Sequence, residues 1–486
     1  MQQSAAQNSI FDKFRRTFIG DKTFYKTVLA LVIPIIIQNT ITNVVNLLDN
    51  VMVGQVGTVQ MSGVAIVNQL MFVFMLTIFG GLGGAGIFGA QYFGAGDNDG
   101  LRHTVRFKLL TAAVILAAAI VIFAAKGDAL ISLYLKGEGD PADAAAMLEY
   151  GSVYLKIMLW GLLPFVVSQV YGGTLRETGE TILPMKASIA AILTNLCLNY
   201  VLIFGKLGFP ELGVEGAAIA TVISRFVEMA IIVVYTHSNT ARFPFVVGLY
   251  RSMRIPADLA LSIFKKGMPL LVNELFWSLS VSTLTQIFST YGLNVVAGMN
   301  ISSTIGNLFN VVFISMGTAV AVMVGQALGA GDLKGAKAHA WKLIFFSVCT
   351  CLVIGTAMAA AAPFIPRIYN TTEEVRGLAT HFMLIGAALM PFFAISHCSY
   401  FTLRSGGKTL ITFLFDSVYS WAVFIPLAYI IANYTELNIY LAYPICYLPD
   451  LIKSMIGIIV VKSGYWAQNI VAAKPGADTS GAEAAG

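Results

Sequence analysis

The chain has 486 residues, of which 57% are hydrophobic and only 11% charged. A soluble domain carries about 25% charged residues, so the composition excludes a soluble globular protein and points to an integral membrane protein. A net charge of +5 suggests nucleic acid at first sight, but the placement of the charges along the chain argues against it.

Residues 1–26 are polar and basic and lack the short apolar core and small-residue cleavage site of a signal peptide. They read as a retained cytoplasmic tail. Apolar windows of roughly 20 residues, enough to cross a bilayer, then follow at 27–52, 61–90, 104–125, 147–173, 181–205 and 213–236. After a linker at 237–263 a second set occupies 264–290, 296–328, 337–362, 377–402, 408–432 and 438–461. The segments thus divide into an N-terminal six-helix bundle, 27–236, and a C-terminal one, 264–462. Residues 463–486 end in small and polar residues and read as a disordered tail.

With both termini inside, the outer loops hold only Lys126, Lys136, Lys206, Arg367 and Arg376, and the spans, away from the residues at their inner ends, only Lys156, Arg225 and Lys453. The rest of the 30 Lys and Arg residues fall on the inner side, as the positive-inside bias requires. The basic excess is therefore a topology signal for a multi-pass membrane protein, with the lipid bilayer rather than nucleic acid as its partner; the plasma membrane is its expected location.

Residues 90–100, "AQYFGAGDNDG", and 325–335, "GQALGAGDLKG", align without a gap, and the same register carries Pro34 onto Pro269. "TLRETGET" (174–181) likewise resembles "TLRSGGKT" (402–409). Each half has an even number of spans, so the halves enter the membrane from the same side. This predicts an all-α polytopic protein of twelve transmembrane helices in two six-helix parallel repeats, the organisation of secondary transporters that bind at the interface of two rocking bundles.

Ionisable groups inside spans are costly and mark function unless a neighbour neutralises them. Glu228 follows Arg225 by three residues and Asp450 precedes Lys453 by three, so both are expected to form intrahelical pairs. Lys156 has no local partner. Asp49, Glu274 and Asp416 also lack one and are the candidate ion-coupling acids. Glu274 and Asp416 each lie eight residues beyond a lysine (Lys266, Lys408), roughly 12 Å into the membrane. A carboxylate in a partly dry cavity takes up H+ or Na+ readily, because neutralisation relieves its desolvation. Asp49 and Glu274 are thus the candidate Na+ ligands.

Asn39, Asn43, Asn46 and Asn50 recur along the first span, and Asn300, Ser303, Asn307 and Asn310 along the eighth. Such ladders either join helices or line a cavity; the nearby Asp49 selects Asn43 and Asn46 as cavity-facing, with Asn307 their second-half counterpart. Aromatic residues flank the second-half acids, Trp277 among them, and aromatic faces attract organic cations.

Gly81, Gly83 and Gly86 match a dinucleotide-binding GxGxxG, but no βαβ unit surrounds them. The five cysteines read as small apolar residues, and neither a metal-ligand motif nor a nucleophile–base constellation stands out. No enzyme activity and no cofactor is expected.

The stretches "LLDNVMVGQVG" (47–57), "AQYFGAGD" with its repeat "GQALGAGD", "LRETGET", "ELGVEGAAIATVIS" (211–224) and "LRSGGKT" together resemble the multidrug and toxin extrusion (MATE) family of bacterial transporters. The resemblance implies two V-arranged six-helix bundles that export organic, often cationic compounds in exchange for H+ or Na+, as a monomer. It makes Asp49 the family's first-helix acid and Glu274 the approximate match of its seventh-helix acid. It adds two site residues, because the proton-coupled DinF-type branch has Asn and Asp on the fifth helix where this chain has Asn195 and Asn199. A lipid-linked precursor flippase of the same superfamily is the nearest alternative and a channel a more distant one.

Overall fold

The computed structural model describes residues 12, 14–135 and 140–472, without the side chains of residues 46, 47, 50 and 51. Every long element is helical. In chain order these are α1 (Lys22–Gly54), α2 (Thr58–Gly94), α3 (Asn98–Tyr134), α4 (Pro141–Glu177), α5 (Ile182–Ile203), α6 (Gly213–Ser238), α7 (Ala257–Ser289), α8 (Leu293–Gly329), α9 (Leu333–Ala361), α10 (Glu373–Ser405), α11 (Thr409–Tyr434) and α12 (Ile439–Ser463). Eleven of them are long and apolar enough to cross a membrane. The exception is α7, which has the length but carries Lys265, Lys266, Asn273, Glu274 and a Ser/Thr-rich second half.

Helix irregularities follow from proline. A 3-10 turn at Leu159–Gly161 interrupts α4 just before Pro164, whose ring cannot accept a regular preceding turn. In α11 the backbone widens into π-helix over Leu414–Val418 and Ser420–Phe424, upstream of Pro426, which offers no N–H to that ladder. Asp416 sits in the first of these widened turns.

The repeated Gly-Ala-Gly-Asp stretches are turns with one task per residue. Gly96 (φ 73°) and Gly331 (φ 79°) take the left-handed conformation that a residue with a Cβ adopts at a cost. Asp97 and Asp332 then cap the next helix, accepting from the N–H groups of Gly100 at 2.8 Å and Gly335 at 2.7 Å. Gly94 and Gly329 let α2 and α8 cross: a Cβ on either would lie 2.0 or 1.8 Å from a main-chain oxygen of the other helix.

One hydrophobic core lies entirely within residues 53–249. A second joins Met316, Leu343, Leu403 and Val461 of α8–α10 and α12 to Phe24, Val28, Leu31 and Val32. The start of α1 therefore packs with the second half, while its later part runs beside α5. In lipid there is little hydrophobic gain from joining helices, and close approach of small residues takes over. This explains "GGLGGAG": a Cβ on Gly84 would be 2.5 Å from the Gly267 Cα of α7. The glycine run is a helix contact between the halves.

Candidate functional site

A cavity of about 1060 Å³ lies between the two halves. From the first half α1, α5 and α6 contribute Asp49, Asn195 and Glu228; from the second half α7, α8, α11 and α12 contribute Glu274, Trp277, Asn307, Asp416 and Asp450.

Asp49 is held by α5. Asn199 Nδ2 donates to Asp49 Oδ1 at 2.7 Å and to Asn195 Oδ1 at 3.1 Å, and Asn195 in turn reaches Thr221 Oγ1 on α6 at 3.3 Å. With the Asn195 amide turned over, its nitrogen donates to both Asp49 oxygens, at 3.0 and 3.1 Å. Asn199 is buried behind the lining, with a side-chain oxygen that has no hydrogen-bond partner among the described residues. The two asparagines singled out by family resemblance are thus in direct contact with the first-helix acid.

The α1 stripe divides differently from its sequence reading. The lining takes Gln38, Asn39, Thr42, Val45 and Asp49. Asn43 is half-buried and not part of it; six residues from Asp49, it points about 120° away around the helix. The side chain of Asn46 lies outside the described residues.

The second-half acids also differ from expectation. Lys453 Nζ reaches across to α11 and donates to Asp416 Oδ1 at 2.7 Å, while Asn273 Nδ2 donates to Oδ2 at 3.0 Å. Asp416 is therefore paired, and the anticipated Asp450–Lys453 bridge is not among the ion pairs of the described residues. The same holds for Arg225 and Glu228. Arg225 donates to the Gly161 carbonyl at 3.3 Å and lies over the Phe165 ring, and Glu228 accepts from Ser188 Oγ. The i,i+3 rule found acids and bases of compatible spacing, but it could not see partners on neighbouring helices. Lys156 is exposed. Glu274 forms no ion pair among the described residues and packs against α2, where a Cβ on Gly80 would meet its Cγ at 3.2 Å.

Sequence reasoning missed two of the cavity's cations. Arg176 and Arg404, counted with the inner loops, both line it, as do Arg225 and Lys453. It also missed a pair behind the lining: Lys108 Nζ donates to Glu177 Oε2 at 2.5 Å and Thr174 Oγ1 at 3.0 Å. The available signal was the "TLR" repeat, which marks equivalent arginines at the end of α4 and near the end of α10. Among the described residues no group of three or more His, Cys, Asp or Glu is arranged to hold a metal ion.

This architecture and its repeat can be compared with known proteins. The family model described as MatE matches residues 34–201 and 269–430, which is most of the chain and both halves. The chain belongs to the MATE family. Members of this family are transporters, not enzymes. Among curated MATE relatives, the probable multidrug resistance protein NorM of Thermotoga maritima is 26% identical over 453 residues, 92% of this chain and 94% of that protein. The multidrug resistance protein MdtK of Edwardsiella ictaluri is 27% identical over 414 residues, 84% and 87% of the two chains. Solved structures support the fold. One is an outward-facing multidrug resistance MATE transporter of the MOP superfamily, with TM-score 0.80 at 20% identity over 92% of this chain and 97% of that one. Another is a MOP superfamily transporter from Pyrococcus furiosus, described as having a binding pocket of reversed polarity that suggests a different function. It has TM-score 0.77 at 20% identity, covering 92% and 97%.

Proposed function

We propose that this MATE protein is a secondary active exporter of organic, often cationic compounds across the plasma membrane, exchanging them for H+ or Na+. The observation that carries the reading is the cavity itself: it draws carboxylates from both halves, which cross closely at glycines where α2 and α8 terminate. In this reading the chain is a monomer of twelve spans in two parallel six-helix bundles with both termini cytoplasmic. The glycine crossing then seals the cytoplasmic side, and rocking of the bundles opens it.

Asp49, Asn195, Asn199 and Thr221 form the oxygen-rich coupling site of the first half. A carboxylate beside an unsatisfied amide oxygen suits either a proton or a hard monovalent cation, for which oxygen ligands are preferred. Glu274 is the second-half acid that exchanges its partner, because Asp416 already has Lys453. The multidrug resistance proteins similar to this chain support export of small organic compounds.

One observation favours a second reading, the lipid-linked precursor flippase: the four cations on the cavity wall suit a phosphorylated head group. Proteoliposome transport separates the two. Uptake of an organic cation such as ethidium, driven by an imposed pH or Na+ gradient, supports the antiporter. Gradient-independent movement of a polyprenyl phosphate across the bilayer, without cation transport, replaces it with the flippase.

A further inference from the structure

Each half is followed by a chain segment that folds back onto the helix ends. The segment after α6 is bound by its own half: Arg106 on α3 donates to the carbonyls of Gly248 at 2.8 Å and Leu249 at 2.9 Å, and Phe245 and Leu249 are buried in the first-half core. The segment after α12 behaves differently. It starts on the second half and ends on the first.

Its anchor is Trp466. The ring is buried in the core of α8–α10 and α12, and its Nε1 donates to the Val461 carbonyl at 2.9 Å. The main chain of Trp466 lies so close to Gly406 that a Cβ there would collide with its carbonyl oxygen. Asn469 adds a bond from Nδ2 to the Gly329 carbonyl at 3.0 Å, and its Oδ1 accepts from the N–H groups of Val471 and Ala472 at 3.0 and 2.9 Å, which fixes the turn. Gln91 of α2, in the opposite half, then grips the segment at two points. Its Nε2 donates to the Gln468 carbonyl at 3.2 Å, and its Oε1 accepts from the Ile470 N–H at 2.9 Å. Ile470 and Val471 complete the crossing by packing into an apolar cluster that holds Phe88 and Tyr92 of α2 and Phe107 of α3.

We propose that residues 466–471 are an autoinhibitory clasp: fixed to the second half at Trp466 and closed on the first at Gln91, Phe88 and Phe107, they hold the protein in the state shut at the glycine crossing. The inference rests on the reading in which the two halves move apart at that crossing. Opening there carries Gln91 away from Gly329 and Gly406, so the clasp must let go of one half. It releases the first. The contacts to α2 and α3 are two main-chain hydrogen bonds and two half-buried aliphatic side chains, whereas the contact to the second half includes a fully buried indole. A segment that binds one state and not the other shifts the population by the free energy of the contacts it loses.

The test measures the separation of the halves directly. Asn98 and Lys334 are exposed at the starts of α3 and α9, one on each half. Spin labels at Asn98→Cys and Lys334→Cys, in a full-length chain whose five native cysteines are replaced by alanine, report the distance across the seam by double electron–electron resonance. Replacing Ile470 and Val471 together by Asp removes the apolar crossing and leaves the Trp466 anchor in place. It is expected to raise the ratio of long to short distances about ten-fold, the size of effect expected for two half-buried aliphatic side chains. Ile470→Ala with Val471→Ala should shift the ratio in the same direction by less, and this pair decides the matter where the charged pair does not fold. Wild-type distances in the folded variant overturn the clasp. If the wild type responds to pH or Na+ while the variants match it throughout, the clasp alone is defeated. A single distance in wild type and variants at every pH and Na+ concentration counts against moving halves altogether.

Discussion

Gln326, at the end of α8, donates from Nε2 to the main-chain carbonyl of Glu177 in the opposite half, at 2.8 Å. Gln91, its counterpart in the repeat, donates to the carbonyl of Ser405 at 2.9 Å. Glu177 and Ser405 each follow the arginine of a "TLR" stretch, so the two contacts are the same contact made once by each copy of the sequence repeat. The glutamines of the motif are therefore paired latches over the glycine crossing.

Each latch is a buried or half-buried hydrogen bond worth about 1 kcal/mol, and both must break for the motif end to open. Combined Gln91→Ala and Gln326→Ala replacement is expected to shift the equilibrium toward the state open at that end by about 2 kcal/mol, roughly a 30-fold change in population ratio. Ala90 is buried and faces Gly325. An Ala90→Cys reporter should therefore label faster with a maleimide when both latches are gone; an unchanged labelling rate would show that the glutamines do not hold the seal.

The segment after α12 lies over the same seam. Ile470 N–H donates to Gln91 Oε1 at 2.9 Å, Asn469 Nδ2 to the Gly329 carbonyl at 3.0 Å, and Trp466 is buried against the turn at Gly406. Trp466→Ala is expected to cost about 3–5 kcal/mol, typical of a large buried aromatic, and to lower the thermal midpoint of the purified protein. Asn469→Ala should leave the midpoint nearly unchanged while loosening the seam in the labelling assay. A Trp466→Ala midpoint equal to wild type would mean that the segment is not docked in the membrane-embedded protein.

How far the sequence reaches can be judged from individual residues. Composition and the charge bias locate the helices, because the bilayer demands long apolar runs. The repeat is legible because each Gly-Ala-Gly-Asp position has a local geometric task. Asp49, Glu274, Asp416, Asn195, Trp277 and Asn307 all appear at the cavity wall. What is not legible depends on contacts between helices distant in sequence. Lys453 belongs to Asp416 rather than Asp450, and Arg176 and Arg404 reach the cavity because their helices run past the apolar windows. Asn43 lies off the cavity lining for a simpler reason: a loose three-or-four spacing drifts around the helix, and the distance from Asp49 gives the phase.

The Lys453–Asp416 bridge yields a prediction of opposite signs. Removing one member strands a charge in the cavity wall, which for a well-buried pair costs about 3–5 kcal/mol, whereas removing both is often nearly neutral. Lys453→Met is therefore expected to lower the thermal midpoint markedly, and Lys453→Met with Asp416→Asn to restore most of it. A double variant as unstable as the single one would show that Lys453 acts through something other than Asp416.

The coupling assignment itself is tested at Asp49 and Glu274. Asp49→Asn keeps the shape of the side chain and a hydrogen-bonding oxygen for Asn199, so the contact between α1 and α5 should survive and the protein should remain monodisperse with a near-normal midpoint. What it removes is the negative charge to which the proposed exchange of a proton or Na+ is assigned. Transport in proteoliposomes driven by an imposed gradient is therefore expected to fall to background, and Glu274→Gln should do the same from the other half. Asn199→Ala takes away only the partner of the carboxylate. It is expected to reduce the rate while retaining coupling, since Asn195 remains within reach of both Asp49 oxygens in its turned orientation. Full gradient-driven transport by both acid variants would remove these two carboxylates from the mechanism. Loss in the Glu274 variant alone would confine coupling to the second half and leave Asp49 as a helix contact.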